Sequence, residues 1–143
     1  MRATVRYMAM VAMLLLVCGE VSAQMMKERG LVRKGNRQFK REQFEKSVDS
    51  YQCALQHDST SFEAKYDLAS ALYRTERYDK AEKTLLSIAG DTTRTELERG
   101  EVAYNLGNTQ FAQQKYKEAL SSYRQAMRCN PNDEDAKFNY AFT

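Results

Sequence analysis

An apolar pattern that recurs three times constrains this chain more than any other feature. Phe44, Ser47, Val48, Tyr51, Ala54 and Leu55 stand at i, i+3, i+4, i+7, i+10 and i+11. Tyr78, Ala81, Glu82, Leu85, Ile88 and Ala89 repeat that spacing, as do Tyr116, Ala119, Leu120, Tyr123, Ala126 and Met127. Such intervals put one set of side chains on one face of an α-helix. The segments begin 34 and then 38 residues apart. Each is preceded by another helical stretch, Glu28 to Arg41, Phe62 to Thr75 and Thr95 to Gln113, across the short turns Glu42-Gln43, Glu76-Arg77 and Gln114-Lys115. The unit is therefore helix, tight turn, helix. One such hairpin cannot bury its apolar face alone, so successive hairpins must stack. The sequence predicts an all-α solenoid of about three helical hairpins plus a final capping or truncated helix. A single Pro and only six Gly suit that fold.

Local signals sharpen the boundaries. Thr60 with Glu63 and Thr93 with Glu96 read as Thr-x-x-Glu capping boxes opening a first helix. Pro131-Asn132-Asp133 closes the third repeat, with Asn132 available to cap the next helix. The four extra residues ahead of the third repeat fall in Asp91 to Glu98, where they lengthen a loop or add a helical turn. Glu134 to Thr143 begins a fourth first helix without its partner, which predicts a capping helix or the opening of a longer chain.

The N-terminus reads differently. Arg2 and Arg6 precede an apolar run from Met8 to Val17, and Val21-Ser22-Ala23 then frames a cleavage point before Gln24. That is the layout of a secretory signal peptide over residues 1–23, leaving 24–143 as the repeat domain. The expected divisions of that domain are 28–61, 62–95, 96–133 and a partial 134–143. The apolar run is shorter than the ~20 residues of a spanning helix, which disfavours an uncleaved anchor. Val17 before Cys18 fits a lipidation signal poorly. Removal of the leader leaves Cys53 and Cys129, read as two separate, partly buried thiols. The expected location is the periplasm or cell envelope, with membrane contact only through an uncleaved or lipidated N-terminus.

Composition and motifs exclude much chemistry. A net charge of +3, with both signs interspersed, lacks the basic stripe of a nucleic-acid binder. There is no Gly-rich phosphate loop, His-Glu-x-x-His or Cys-x-x-Cys. The lone His57 sits at a helix end, and Asp133-Glu134-Asp135 places negative charge at a helix start. No catalytic residue, metal ligand or cofactor is predicted, and the chain is read as a non-enzyme.

The third repeat carries a resemblance. Ala103-Tyr104-Asn105-Leu106-Gly107-Asn108, then Tyr116-Lys117-Glu118-Ala119-Leu120, Tyr123, Ala126 and Asn130-Pro131-Asn132, resemble the tetratricopeptide-repeat (TPR) consensus. The second repeat matches it at Leu68, Ala69, Tyr78, Ala81 and Leu85, the first at Gly35, Phe44, Ser47, Tyr51 and Ala54. Lys34 in the first repeat replaces a usual apolar residue, as suits a terminal unit with a wetter face. The resemblance implies that first helices line a concave groove and that small residues such as Gly107 and Ala119 permit close helix crossing. It also implies a partner-binding row. From the first repeat that row takes Val32, Asn36, Phe39 and Lys40, and from the second Tyr66, Ser70, Tyr73 and Arg74. The third contributes Tyr104, Asn105, Asn108 and Phe111, and the last helix Phe138 and Asn139. Asn amides can pair with a peptide backbone, and aromatics suit interfaces. Val32 stands where a carboxylate-clamp Lys would be expected, so a C-terminal carboxylate ligand is disfavoured. The signal peptide, Tyr-Asn-Leu-Gly-Asn and Asn-Pro-Asn-Asp-Glu-Asp-Ala-Lys-Phe-Asn are also similar to exported TPR proteins of aerotolerance-type (Bat) operons. The implied function is a protein-protein interaction scaffold at the cell envelope, binding a partner segment in the groove. A self-assembling structural protein and a periplasmic assembly chaperone are the alternatives.

Overall fold

The computed structural model describes residues 2–143, without the side chains of residues 2–5, 9, 12 and 14–18. Cys18, and with it the lipidation signal, lies outside the described side chains. Seven helices succeed one another among the described residues: α1 (Arg2–Lys40), α2 (Phe44–His57), α3 (Phe62–Arg74), α4 (Tyr78–Leu86), α5 (Glu96–Ala112), α6 (Tyr116–Cys129) and α7 (Glu134–Phe142). They pack as antiparallel pairs, α1 on α2, α3 on α4 and α5 on α6, with α7 laid against α6. The fold is the all-α hairpin solenoid that the repeat pattern predicts.

The first helix extends back beyond its predicted start at Glu28, through the segment read as a leader, without a break. Its packing nevertheless begins at Glu28. Tyr7, Met8, Met10, Val11, Met13, Val21, Met25 and Met26 are all exposed, whereas Glu28 and Val32 are buried. Ser61 donates its hydroxyl to Glu28 Oε1 at 2.6 Å, tying α1 to the start of α3. No helix among the described residues is long and apolar enough to cross a membrane.

Helix starts correct the predicted caps. Ser61, not Thr60, caps α3 by accepting from Ala64 N. Thr95 with Glu98, not Thr93 with Glu96, forms the capping box of α5. Thr60 and Thr93 instead fold back, each donating its backbone N–H and its hydroxyl to the aspartate two residues earlier, Asp58 and Asp91. Thr60 lies one residue and Thr93 two residues ahead of the actual N-caps Ser61 and Thr95, too early in the chain to reach the helix N–H groups. Asp133 rather than Asn132 caps α7, accepting from Ala136 N at 2.9 Å.

The three turns within hairpins share one solution. Glu42, Glu76 and Gln114 adopt left-handed φ of 59°, 59° and 62°. In each turn the next residue closes a long backbone bond to the end of the first helix, as from Gln43 N to Gln38 O at 3.0 Å. This is a Schellman-type close built without glycine. The extra four residues also find their place. Second-helix starts precede the next first-helix starts by the same interval throughout, but α5 has 17 residues against 13 for α3. The insertion is one additional turn of α5 rather than a longer loop.

Helix crossing sets the core. A Cβ on Gly35 would fall 2.4 Å from Tyr51 Cε1, and one on Gly107 would fall 2.5 Å from Tyr123 Cε1. Both tyrosines are almost wholly buried. At the same register the second hairpin has Ala69 and Leu85, buried together. Ring volume on the second helix is thus matched by the missing methyl on the first. Repeats one and three also share a second bond, Ser50 Oγ to Gln38 Oε1 at 2.6 Å and Ser122 Oγ to Gln110 Oε1 at 2.7 Å. Glu82 occupies the position held by Val48 and Leu120 because it accepts from Gln110, Gln113 and Lys115, a polar clamp between hairpins two and three. Burial raises its carboxyl pKa, but those bonds outweigh burial and leave it lowered. Cys53 and Cys129 are free thiols; Cys53 is exposed rather than partly buried, since it faces outward on α2.

Gly107→Ala is expected to cost about 1–3 kcal/mol by overpacking, despite the better helix propensity of Ala. Tyr123→Leu should cost less in the Gly107→Ala background than in the native one, because that pair reproduces Ala69 and Leu85. Urea unfolding of all four proteins measures the coupling, and equal costs in the two backgrounds would refute the volume match.

Candidate functional site

The first helices present a row of three adjoining depressions. The first is lined by Asn36, Phe39, Lys40, Tyr51 and Asp67. The second shares Phe39 and adds Ser70, Tyr73, Arg74, Asn105 and Asn108. The third shares Tyr73 and Asn108 and adds Phe111, Phe138, Asn139 and Phe142. Eleven of the fourteen predicted site residues line this groove.

Val32, Tyr66 and Tyr104 do not. Val32 is buried in the first core cluster. Tyr66 stacks on Phe62 and accepts from Asn105 Nδ2 at 2.9 Å. Tyr104 packs at 6.1 Å from the Tyr123 ring and accepts from Asn139 Nδ2 at 3.3 Å. Tyr66 and Tyr104 thus bond to the next first helix, and Val32 belongs to the core.

The amides of the row are tied into the protein. Asn108 Oδ1 accepts from the Tyr123 hydroxyl at 2.9 Å and from Asn139 Nδ2 at 2.9 Å. Asn36 is the equivalent residue of the first repeat. Its amide, turned with nitrogen toward Asp67, donates to Asp67 Oδ2 at 3.0 Å and to the Tyr51 hydroxyl at 2.6 Å. These bonds run from each first helix to its own second helix and to the next first helix. Asn105 and Asn139 hold the same register as Asp67. Sequence reasoning passed over Asp67, although that register marks it. Burial first, and the Glu63 carboxylate second, push the Asp67 pKa up, with the Asn36 bond opposing them. Burial, with Tyr104 and Tyr73 nearby, pushes Tyr123 up to about 12.

The aromatic wall repeats too. Phe39 meets Phe44 edge to face at 5.1 Å, Tyr73 meets Tyr78 at 5.3 Å, and Phe111 meets Tyr116 at 5.5 Å. Each pair joins the last turn of a first helix to the first residue of its second helix, so the rings are held while keeping an open face. Arg74 lays its guanidinium over the Phe44 ring at 4.3 Å. Phe111 continues to Phe142 at 6.1 Å, and Phe142 stacks on Phe138. Phe138 and Phe142 remain 68% and 71% exposed. No cluster of His, Cys, Asp and Glu suited to a metal ion occurs among the described residues.

Stacked helical hairpins whose first helices share an aromatic, amide-walled groove define a class of interaction solenoid. Tetratricopeptide-repeat family models match residues 38–97 and 101–133, together more than half of the chain. The chain belongs to the tetratricopeptide-repeat proteins. Comparison with curated proteins gives no match. Among solved structures, the Arabidopsis OM64 TPR domain superposes with a TM-score of 0.76 at 21% identity, over 83% of this chain and 95% of that one. The second TPR domain of human RPAP3, solved with the HSP70 peptide SGPTIEEVD, gives 0.72 at 19% identity, over 85% and 96%. The first TPR of Spaghetti (RPAP3), bound to the HSP90 peptide SRMEEVD, gives 0.74 at 24%, over 82% and 90%. These likenesses concern the fold.

Asp67→Asn tests the wall. The folded state holds the Asp67 proton to higher pH than the unfolded chain, so this carboxyl favours folding at low pH and opposes it as pH rises through the raised value. The variant is expected to equal or exceed the native protein in stability at neutral pH, since Asn still accepts from Asn36. Its advantage should shrink as pH falls toward about 4. Thermal unfolding across that range decides; an Asn variant clearly weaker at neutral pH would mean the charge itself is needed.

Proposed function

We propose that this protein is a non-catalytic scaffold that holds an extended segment of a partner protein along the first-helix groove. The observation that carries this reading is the continuity of the three depressions, with Phe39, Tyr73, Phe111 and Phe138 set along them. Because the Asn amides already bond to protein groups, the groove is preorganised and little side-chain entropy is lost on binding. The open aromatic faces supply apolar contact, while Lys40 and Arg74 add positive charge. Neighbours of the same fold that bind short peptides support a peptide segment as ligand.

Export belongs to the same proposal. The charged, apolar and small-residue order of residues 1–23 supports secretion and work at the cell envelope, in the manner of the Bat-type relatives that the sequence resembles. Mass spectrometry of protein recovered from the periplasm should find Gln24 at the amino terminus. Retention of Met1 in the membrane fraction would overturn the cleavage.

A library of extended peptides displayed against residues 24–143 tests the groove. Selected peptides should bind the native protein and lose at least about tenfold in affinity to Tyr73→Ala/Phe111→Ala, whose rings are not core. Undiminished binding to that variant would sink the groove assignment. Self-assembly is a second reading, favoured by the open Phe138 and Phe142 rings. Sedimentation would then show oligomers that Phe138→Ser/Phe142→Ser dissociates, and a monomer at high concentration would eliminate it.

A further inference from the structure

A second cavity lies away from the groove, between the α4–α5 connection, α5 and α6. Its volume is about 410 Å³, and its lining includes Thr92, Arg99, Ser121, Ser122, Arg124 and Arg128. Two departures from the repeat create it. The second helix of hairpin two stops at Leu86 after nine residues, where α2 and α6 each have 14. The next first helix, α5, carries its additional turn at the same place, and Arg99 belongs to that turn. Gly100 lets α6 close over it, since a Cβ there would sit 3.2 Å from Cys129 Cβ.

The lining is charged with one sign. Arginines are its only ionisable residues, and no carboxylate lines it. Arg124 Nη2 donates to the Tyr140 hydroxyl at 2.9 Å, so that residue contributes field more than free donors. The Nε–H of Arg99 is buried with no acceptor. Its nearest ion-pair partner is Glu96, 3.8 Å from Nη2 and well exposed. Three guanidiniums line one cavity with no carboxylate among its walls, which gives it a positive potential. That field attracts an anion.

We propose that this cavity binds a phosphate- or sulfate-type oxyanion, held between Arg99 and Arg128. Guanidinium forks match such oxygens in pairs, and the Ser121 and Thr92 hydroxyls add donors. That is more donors than the two oxygens of a carboxylate can use, which favours a tetrahedral group. The volume also leaves room for a carrier attached to the anion. The site is independent of the groove.

Isothermal titration of residues 24–143 with inorganic phosphate and with sulfate tests the assignment. Saturable binding is expected, weakened about tenfold or more in Arg99→Gln and in Arg128→Gln and unchanged in Lys117→Gln, an exposed control on α6. Arg128 lies in the exposed last turn, so its variant reads the site even where Arg99→Gln fails to fold. Flotation with phosphatidylglycerol and phosphatidylcholine vesicles separates the sources. Arginine-dependent binding only to the anionic vesicles assigns the anion to a lipid headgroup, and binding of free phosphate without vesicle capture assigns it to a soluble ligand. Absence of saturable binding in every arm, or undiminished binding by both arginine variants, overturns the proposal.

Discussion

Everything in this solenoid depends on how closely the two helices of a hairpin cross. Gly35 under Tyr51, and Gly107 under Tyr123, let a full aromatic ring lie where a methyl group would otherwise stand. A buried tyrosine contributes a large apolar area, but a hydroxyl left without a partner would cancel about 1–3 kcal/mol of that gain. The partner is one residue on from the glycine: Asn36 for Tyr51 and Asn108 for Tyr123. The missing side chain and the amide beside it therefore act as one unit, a gap for the ring and an anchor for its oxygen.

That unit reaches across hairpins. An amide that holds its own tyrosine has further valences, and these go to Asp67 and Asn139 on the next first helix. Core packing and groove wall are consequently the same residues seen from two sides. The groove cannot be softened without loosening a helix crossing, which makes its amides poor candidates for adaptable ligand contacts. The aromatic pairs at the turns are freer. They are fixed by ring contacts at the hairpin tips, away from the crossing, and can change identity between Phe and Tyr without disturbing it.

The helices, their order and the period were legible because apolar spacing reflects helical geometry directly. The close crossing at Gly107 came from the resemblance to the repeat consensus rather than from the spacing, and the structure shows it. The caps were misread at Thr60 and Thr93 for two reasons: Thr95-x-x-Glu98 fits the pattern as well as Thr93-x-x-Glu96, and Ser61 caps α3 with no Glu three residues on. The predicted row placed most residues in the groove because register alone determines which way a first-helix side chain points. It included Val32, Tyr66 and Tyr104 because register does not say whether a neighbouring helix covers the position. Asp67 was missed on chemistry: a carboxylate among asparagines looks like surface until its burial is seen.

Hairpin two departs from its neighbours in a correlated way. Leu85 replaces the tyrosine, so Ala69 can replace glycine, and Ser70 can replace the asparagine that no hydroxyl now requires. With the ring goes the Gln–Ser bond seen in both flanking repeats. The lost polar contacts are compensated one step outward, where Glu82 gathers Gln110, Gln113 and Lys115 from the third hairpin. The shortened α4 and lengthened α5 fall at this same junction. Stability of a repeat array is carried by unit and interface terms. The Glu82 clamp ties hairpins two and three together while the end of α4 departs from the regular pattern. The arginine-lined cavity occupies the space so released, which is where a repeat protein can acquire a second site without touching its groove.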